Sequence, residues 1–273
     1  VNDLFVVKIG GNVLDDPAVL SSFMESFANI KGPKILVHGG GKKASAVSER
    51  LGVPVRMHEG RRITDNETLD IAVMVYAGLI NKQLVASLQA YDCQAIGICG
   101  ADGGCMPATR RSIQTLDYGF VGDIQHHQIQ QAFFINLLEQ SLVPVFAPIT
   151  HDGQGQLLNT NADSVAAALA IALGTHYHVH LVYCFEKKGV LRNVKDEKSL
   201  IAELTPAIYT RLRHDGLIRD GMIPKLDNAF AAISAGVDNV FIGSAEFLLD
   251  LISGRPDSGT RCHADSGSSK RKS

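Results

Sequence analysis

Short apolar runs rich in β-branched residues alternate along the chain with longer stretches whose apolar residues recur every three or four positions. The first kind reads as strand buried on both faces, the second as amphipathic helix. Leu4 to Val7 opens the series as a strand. Asp15-Asp16-Pro17 then signals a helix start, and Leu20, Phe23, Phe27 and Ile30 follow at helical spacing. Residues 34–38 read as the second strand and 42–51 as the second helix. A hairpin is expected over 53–64. The longest helix follows over 65–90, with Leu69, Val73, Tyr76, Ile80, Leu84 and Leu88 as its apolar stripe. Further strands are expected over 93–99, 142–147 and 239–243, and another ending at Phe185. Helices are expected over 130–140, 165–173 and from Lys225 to Ala235. Residues 106–128 are polar and turn-rich, a hairpin excursion.

Strand and helix in alternation predict an α/β fold with a mainly parallel central sheet. A break at Gly174-Thr175 divides the chain into lobes 1–173 and 174–261. From Asp257 the composition turns to Ser, Gly and basic residues, and 262–273 is expected as a disordered tail.

Bulk properties narrow the function classes. The chain has 273 residues, enough for one large α/β domain or two lobes. Its net charge of −2 leaves no footprint for nucleic acid or an anionic membrane. The apolar runs are strand-sized, so none is expected to span a bilayer. Five cysteines, an odd number, and a start that is already strand-like predict a cytoplasmic protein with reduced thiols.

The candidate chemistry sits where strands end. Lys8 closes the first strand and runs into Gly10 and Gly11; His38 closes the second and runs into Gly39, Gly40 and Gly41. One such end fits either a simple glycine turn with a solvated lysine or an anion site. Two in one parallel sheet lie side by side at its carboxyl edge, where such sheets bind ligands, and favour phosphate or carboxylate. The spacing is not that of a P-loop or a dinucleotide fold. Arg61 and Arg62 point to opposite faces if they lie on a strand, so one can clamp a carboxylate. Asn161 is placed as a helix N-cap with Asp163 in the first turn, which leaves Asn159 unexplained by capping. Lys225 sits at the start of a helix, the wrong end for a cation unless an anion is near. His176, His178 and His180 alternate, as satisfied strand histidines or as a metal comb.

Lys8-x-Gly10-Gly11, His38-Gly39-Gly40-Gly41, Arg61-Arg62-Ile63-Thr64, Asn159-x-Asn161-Ala162-Asp163 and Gly221-Met222-x-x-Lys225 together resemble the amino-acid kinase family, over about residues 3–261. The arginine, asparagine and methionine motifs are most similar to its acylglutamate branch. The resemblance implies an open αβα sandwich with ATP and Mg2+ as cofactors. It implies phosphorylation of the side-chain carboxylate of N-acetyl-L-glutamate in arginine biosynthesis, with N-succinyl-L-glutamate or a silent arginine-binding domain as alternatives. It assigns catalysis to Lys8, Lys225 and Asp163, and the acylglutamate to Gly40, Gly41, Arg62 and Asn159. The nucleotide falls to Gly10, Gly11, Glu186, Lys187, Gly189, Val190, Leu191, Ile218 and Arg219, and the metal is held through ATP. The chain departs from the family at Cys184-Phe185-Glu186-Lys187-Lys188-Gly189-Val190, where an Asp-x-x-Gly-Val turn is usual. Lys42 and Lys43, beside the triple glycine, motivate the succinyl alternative. A homodimer through helix 65–90, without arginine feedback, is also implied.

Overall fold

The computed structural model describes residues 2–58, 60–113, 115–218 and 222–265. A central eight-stranded sheet contains β1 (Asp3–Ile9), β2 (Lys34–His38), β3 (Ala95–Ile98), β4 (Val143–Phe146), β5 (His178–Phe185), β6 (Glu203–Leu204), β7 (Asn239–Ser244) and β8 (Gly259–Cys262). Their spatial order is β6-β8-β7-β5-β1-β2-β4-β3. From β7 to β3 every neighbouring pair is parallel. Strand β8 returns antiparallel to β7 and carries β6 beside it. The sheet is continuous across residue 174, since β1 pairs with β5 along its whole length.

Helices α1 (Gly11–Asp15), α2 (Pro17–Asn29), α3 (Gly41–Arg50), α4 (Asn66–Gln89), α5 (Gln131–Glu139), α6 (Ala162–Leu173), α7 (Pro206–His214), α8 (Met222–Ser234) and α9 (Leu248–Ile252) flank the sheet. Side chains alternate across a strand, so Leu4 and Val6 enter one core while Val7 and Ile9 enter the other. The first core is closed by α5, α6, α7 and α8, the second by α2, α3, α4 and α9. The result is an open αβα sandwich. Lys8 follows the parity of Leu4 and Val6, on the side of α6 and α8.

Local signals in the sequence account for several helix starts. The Asp16 carboxylate accepts from the Ala18 and Val19 amides at 2.9 and 3.2 Å, with Pro17 at the first helical position. Asn161 caps α6 by accepting from the Asp163 and Ser164 amides at 2.8 and 3.1 Å. Helix α4 is wound as a π-helix over Met74–Ile80.

Three expectations need correction. Helix α4 is long and apolar enough, by length and composition, to cross a membrane, contrary to the expectation of strand-sized runs alone. Its Ile71, Val75, Ile80, Leu84 and Leu88 are buried in the core on that side of the sheet. The tail does not begin at 262: Cys262 is fully buried at the end of β8, paired with Val240. Residues 266–273 lie outside the described residues. Of the three histidines, His176 precedes β5 and is exposed. His180 stacks on Phe5 at 4.9 Å and shares hydrogen bonds of 3.1 Å with Asp3 and Asn239, so it is spent on strand packing.

Candidate active site

The parallel strands end together, and the loops leaving their carboxyl ends converge. Lys8, the penultimate residue of β1, is buried because it is paired: its Nζ lies 2.7 Å from Asp163 Oδ1. Lys225 comes from the first turns of α8, with its Nζ 3.4 Å from Asp163 Oδ2. Asp163 itself stands in the first turn of α6, where the helix dipole favours a carboxylate. Burial alone would push its carboxyl up, but the two ammonium groups, Lys8 foremost, outweigh burial and hold it at about 2. Burial lowers the pKa of Lys225, against the pull of Asp163.

Two helix N-termini face the same place. Gly10 caps α1 and Gly40 caps α3, and neither N-terminus is closed by a side chain. Their amides are therefore unspent donors for an anion. The two loops are tied by the Gly39 amide, which donates to the Ile9 carbonyl at 3.0 Å. Gly40 has φ +152°, and a Cβ there would stand 2.4 Å from Ile80 Cδ1, so only glycine lets the loop lie on α4.

His38 anchors this loop from below. Its fully buried ring is held neutral, burial lowering its pKa to about 4. The Nδ1–H donates to the Gly39 carbonyl at 2.8 Å, and Nε2 accepts from Asn81 Nδ2 at 3.2 Å. Asn81 also donates to the Val145 carbonyl at 2.8 Å, tying α4 to β4.

Three hairpins roof the site: Met57–His58 with Arg61–Arg62, Ala108–Arg110 with Gly122–Ile124, and Ile149–His151 with Leu157–Asn159. Bridges Thr64–Gly119, Pro107–His151 and Val121–Asn159 hold them together. As the strand parity requires, Arg61 is exposed and Arg62 buried. Arg62 Nη2 donates to the Gly41 carbonyl at 2.9 Å and to Ser45 Oγ at 2.7 Å. Asn159 Nδ2 donates to Thr64 Oγ1 at 3.0 Å, so the asparagine that capping left unexplained belongs to this roof.

A cavity of about 490 Å³ opens beneath the roof, lined by Lys8, Gly10, Gly11, Gly40, Gly41, Arg62, Asn159 and Asp163 among others. A second, also about 490 Å³, is lined by Lys8, Gly10, Gly11, Gly41, Lys42, Phe185, Glu186, Met222 and Lys225 among others. The two share Lys8 and the glycine loops. Not every residue singled out in the sequence lies there. Val190, Leu191 and Ile218 are buried in the core, and a Cβ at Gly189 would meet Leu200 and Thr260 at 2.6 and 2.7 Å. Lys187 lines neither cavity. Arg219 and Gly221 lie outside the described residues. Lys42 opens onto the second cavity and binds Asn12 and Asp15, while Lys43 is exposed. The feature that raised a succinyl substrate is thus not in the first cavity.

The model of the amino acid kinase family matches residues 3–244. An acetylglutamate kinase from Cytophaga hutchinsonii is 51% identical over 263 residues, covering 96% of this chain and 99% of that protein. The chain belongs to the amino-acid kinase family. Two solved relatives share its fold. N-acetylglutamate synthase from Neisseria gonorrhoeae superposes with a TM-score of 0.82 at 20% identity, over 95% of this chain and 59% of that one. Carbamate kinase from Giardia lamblia superposes with a TM-score of 0.67 at 16% identity, over 97% and 99%.

For this amino-acid kinase the sequence left one wall of the first cavity unassigned. Arg111, Val121, Asp123 and His126 line it from the second hairpin and the turn after it. Arg111 Nε lies 3.1 Å from both carboxylate oxygens of Asp123. The sequence marked that segment only as part of a polar, turn-rich hairpin excursion over 106–128. Gly122 leaves room for the Thr150 and Thr160 hydroxyls, which a Cβ would meet at 2.8 and 2.9 Å.

The pairing of Asp163 has a pH signature. Its folded pKa is about 2, below the ordinary aspartate value, so its stabilising contribution is complete above about pH 4 and is lost as pH falls toward 2. Asp163→Asn should lower the thermal midpoint at pH 7 and remove its share of the acid loss between pH 4 and 2. An Asn variant whose melting profile ran parallel to wild type across that window would contradict the clamp.

Proposed function

We propose that the protein transfers the γ-phosphoryl group of ATP to the side-chain carboxylate of N-acetyl-L-glutamate, yielding ADP and the acyl phosphate, as a step of arginine biosynthesis. The observation that carries this reading is the meeting of two cavities at Lys8, with Asp163 joining Lys8 to Lys225. The names of close relatives spanning nearly the whole chain supply the acceptor.

The acceptor carboxylate has a reference pKa of roughly 4.3 and is ionised at neutral pH, so no general base is needed. One of its oxygens attacks the γ-phosphorus while the bond to the bridging oxygen of ADP breaks. Such a transfer needs alignment and charge neutralisation along the in-line path. Lys8 stands where the cavities meet and Lys225 lines the nucleotide side, both held by Asp163. The amides at Gly10 and Gly40 supply further positive dipole. In the first cavity Arg62, Gly41 and Asn159 hold the acylglutamate, and Arg62 suits its α-carboxylate. ATP takes the second cavity, beside Glu186, so the acceptor falls mainly to residues 1–173 and the nucleotide lies between the glycine loops and Phe185, Glu186, Met222 and Lys225. Mg2+ would arrive on the phosphates. There it would neutralise phosphate charge. The five cysteines, all free, support a cytoplasmic setting.

ADP release with MgATP should be fast on N-acetyl-L-glutamate and much slower on N-succinyl-L-glutamate or N-acetyl-L-glutamine. Lys8→Ala should lower kcat by roughly 100-fold or more, in the range seen when a preorganised charge is removed from a transition state. Equal turnover of the glutamine analogue would show that the side-chain carboxylate is not the acceptor.

We also propose a homodimer through α4. Met74 and Leu79 are 54% and 40% exposed on its π-wound stretch, and Gly78 between them has open space around it. Sedimentation should give a dimer for wild type and a monomer for Leu79→Arg. A wild-type monomer at micromolar concentration would end that proposal.

A further inference from the structure

Lys225 reaches the junction across a floor made by β5. Lys8 on β1 is in register with Tyr183 on the neighbouring parallel strand, so the two side chains leave the sheet on the same face. Phe185, two residues on, shares that face. Lys225 Nζ lies 5.1 Å from the centre of the Tyr183 ring and 5.8 Å from that of Phe185. Both are within the ~6 Å at which an aromatic face attracts a cation. Tyr183 is fully buried, and its hydroxyl donates to the Asp163 carbonyl at 3.2 Å. The ring is therefore fixed to the same helical turn that carries the clamping carboxylate.

An ammonium has three N–H donors, and Asp163 engages one of Lys225's at 3.4 Å. A second carboxylate close against it would use up the others and cancel the charge. An aromatic face attracts the cation and leaves those donors open. We propose that Tyr183 and Phe185 are positioning residues, an aromatic cradle that holds Lys225 in place and charged while its remaining donors stay free for the transferring phosphoryl group. This rests on the reading of Lys225 as a group that touches that phosphoryl.

Every element against Lys225 contributes to its electrostatics. Asp163 on α6 and Glu186 beyond β5 favour the charged form, whereas burial and Lys8 on β1 oppose it. Cys184 on β5 is also near, but burial pushes its thiol up to about 12, so it stays neutral and offers no compensating charge. The rings act on the same side as the two carboxylates.

The variant to make is Phe185→Leu, which removes the more exposed ring, with Phe185→Tyr to restore an aromatic face. Lys225 is titrated directly by NMR of protein labelled with 15N-lysine, its signal assigned with Lys225→Arg, and kcat and KM are measured against pH. With leucine, kcat should fall roughly 3-fold to 30-fold while KM for the acylamino acid stays within about 2-fold. The Lys225 titration and the alkaline limb of kcat should both move to lower pH by about 0.5 to 1.5. Tyrosine should return all three toward wild type. An unmoved Lys225 titration, or a tyrosine variant no better than leucine, would overturn the cradle. A lowered titration with unchanged kcat would uphold the cradle and withdraw the phosphoryl contact from Lys225, so the two readings fail separately.

Discussion

Two like charges in a partly buried site repel and each loses hydration, a cost that an anion between them offsets. Asp163 is that anion here. Its position results from β1 bringing Lys8 to the sheet edge, α6 starting at Asn161, and α8 directing Lys225 back over β5. Removing the carboxylate would leave two ammonium groups facing each other without a partner. The rest of the site is built outward from this one triad, with glycine amides on one flank and the hairpin roof on the other.

The support beneath the triad is also physical and specific. A neutral His38, tied to Asn81 and the Gly39 carbonyl, fixes the loop whose Gly40 lies directly on α4. The same helix therefore serves the glycine run on one face and, in the proposed assembly, a second subunit on another. That interface lies close to the anion site, through the packing of Gly40 on Ile80 and the hydrogen bond from Asn81 to His38.

Much of this was legible in the sequence because the relevant residues break local rules. A lysine at the end of a buried strand and another at a helix N-terminus are each awkward alone, and both are resolved by one aspartate. The alternation of strands and helices and the opposed faces of Arg61 and Arg62 follow from periods of 3.6 and 2, and the caps at Asp16 and Asn161 from side chains that accept from first-turn amides. Other features gave no local signal. Strand β8 is four residues long in a Gly- and Ser-rich stretch, and pairing with β7 is what orders it. Val190, Leu191 and Ile218 carry no mark that distinguishes a core side chain from a nucleotide contact. Arg111 and Asp123 pair within the second hairpin, and their place in the first cavity depends on how that hairpin packs against the others, which spacing along the chain does not encode.

The most direct test of the account is a crystal structure with MgADP, aluminium fluoride and N-acetyl-L-glutamate bound together. The account predicts the planar fluoride in line between the glutamate side-chain carboxylate and the ADP β-phosphate. It should lie within hydrogen-bond reach of both Lys8 and Lys225, with Asp163 still bridging them and touching neither substrate. A fluoride position away from either lysine, or Asp163 released from them to contact the acceptor as a base, would contradict it.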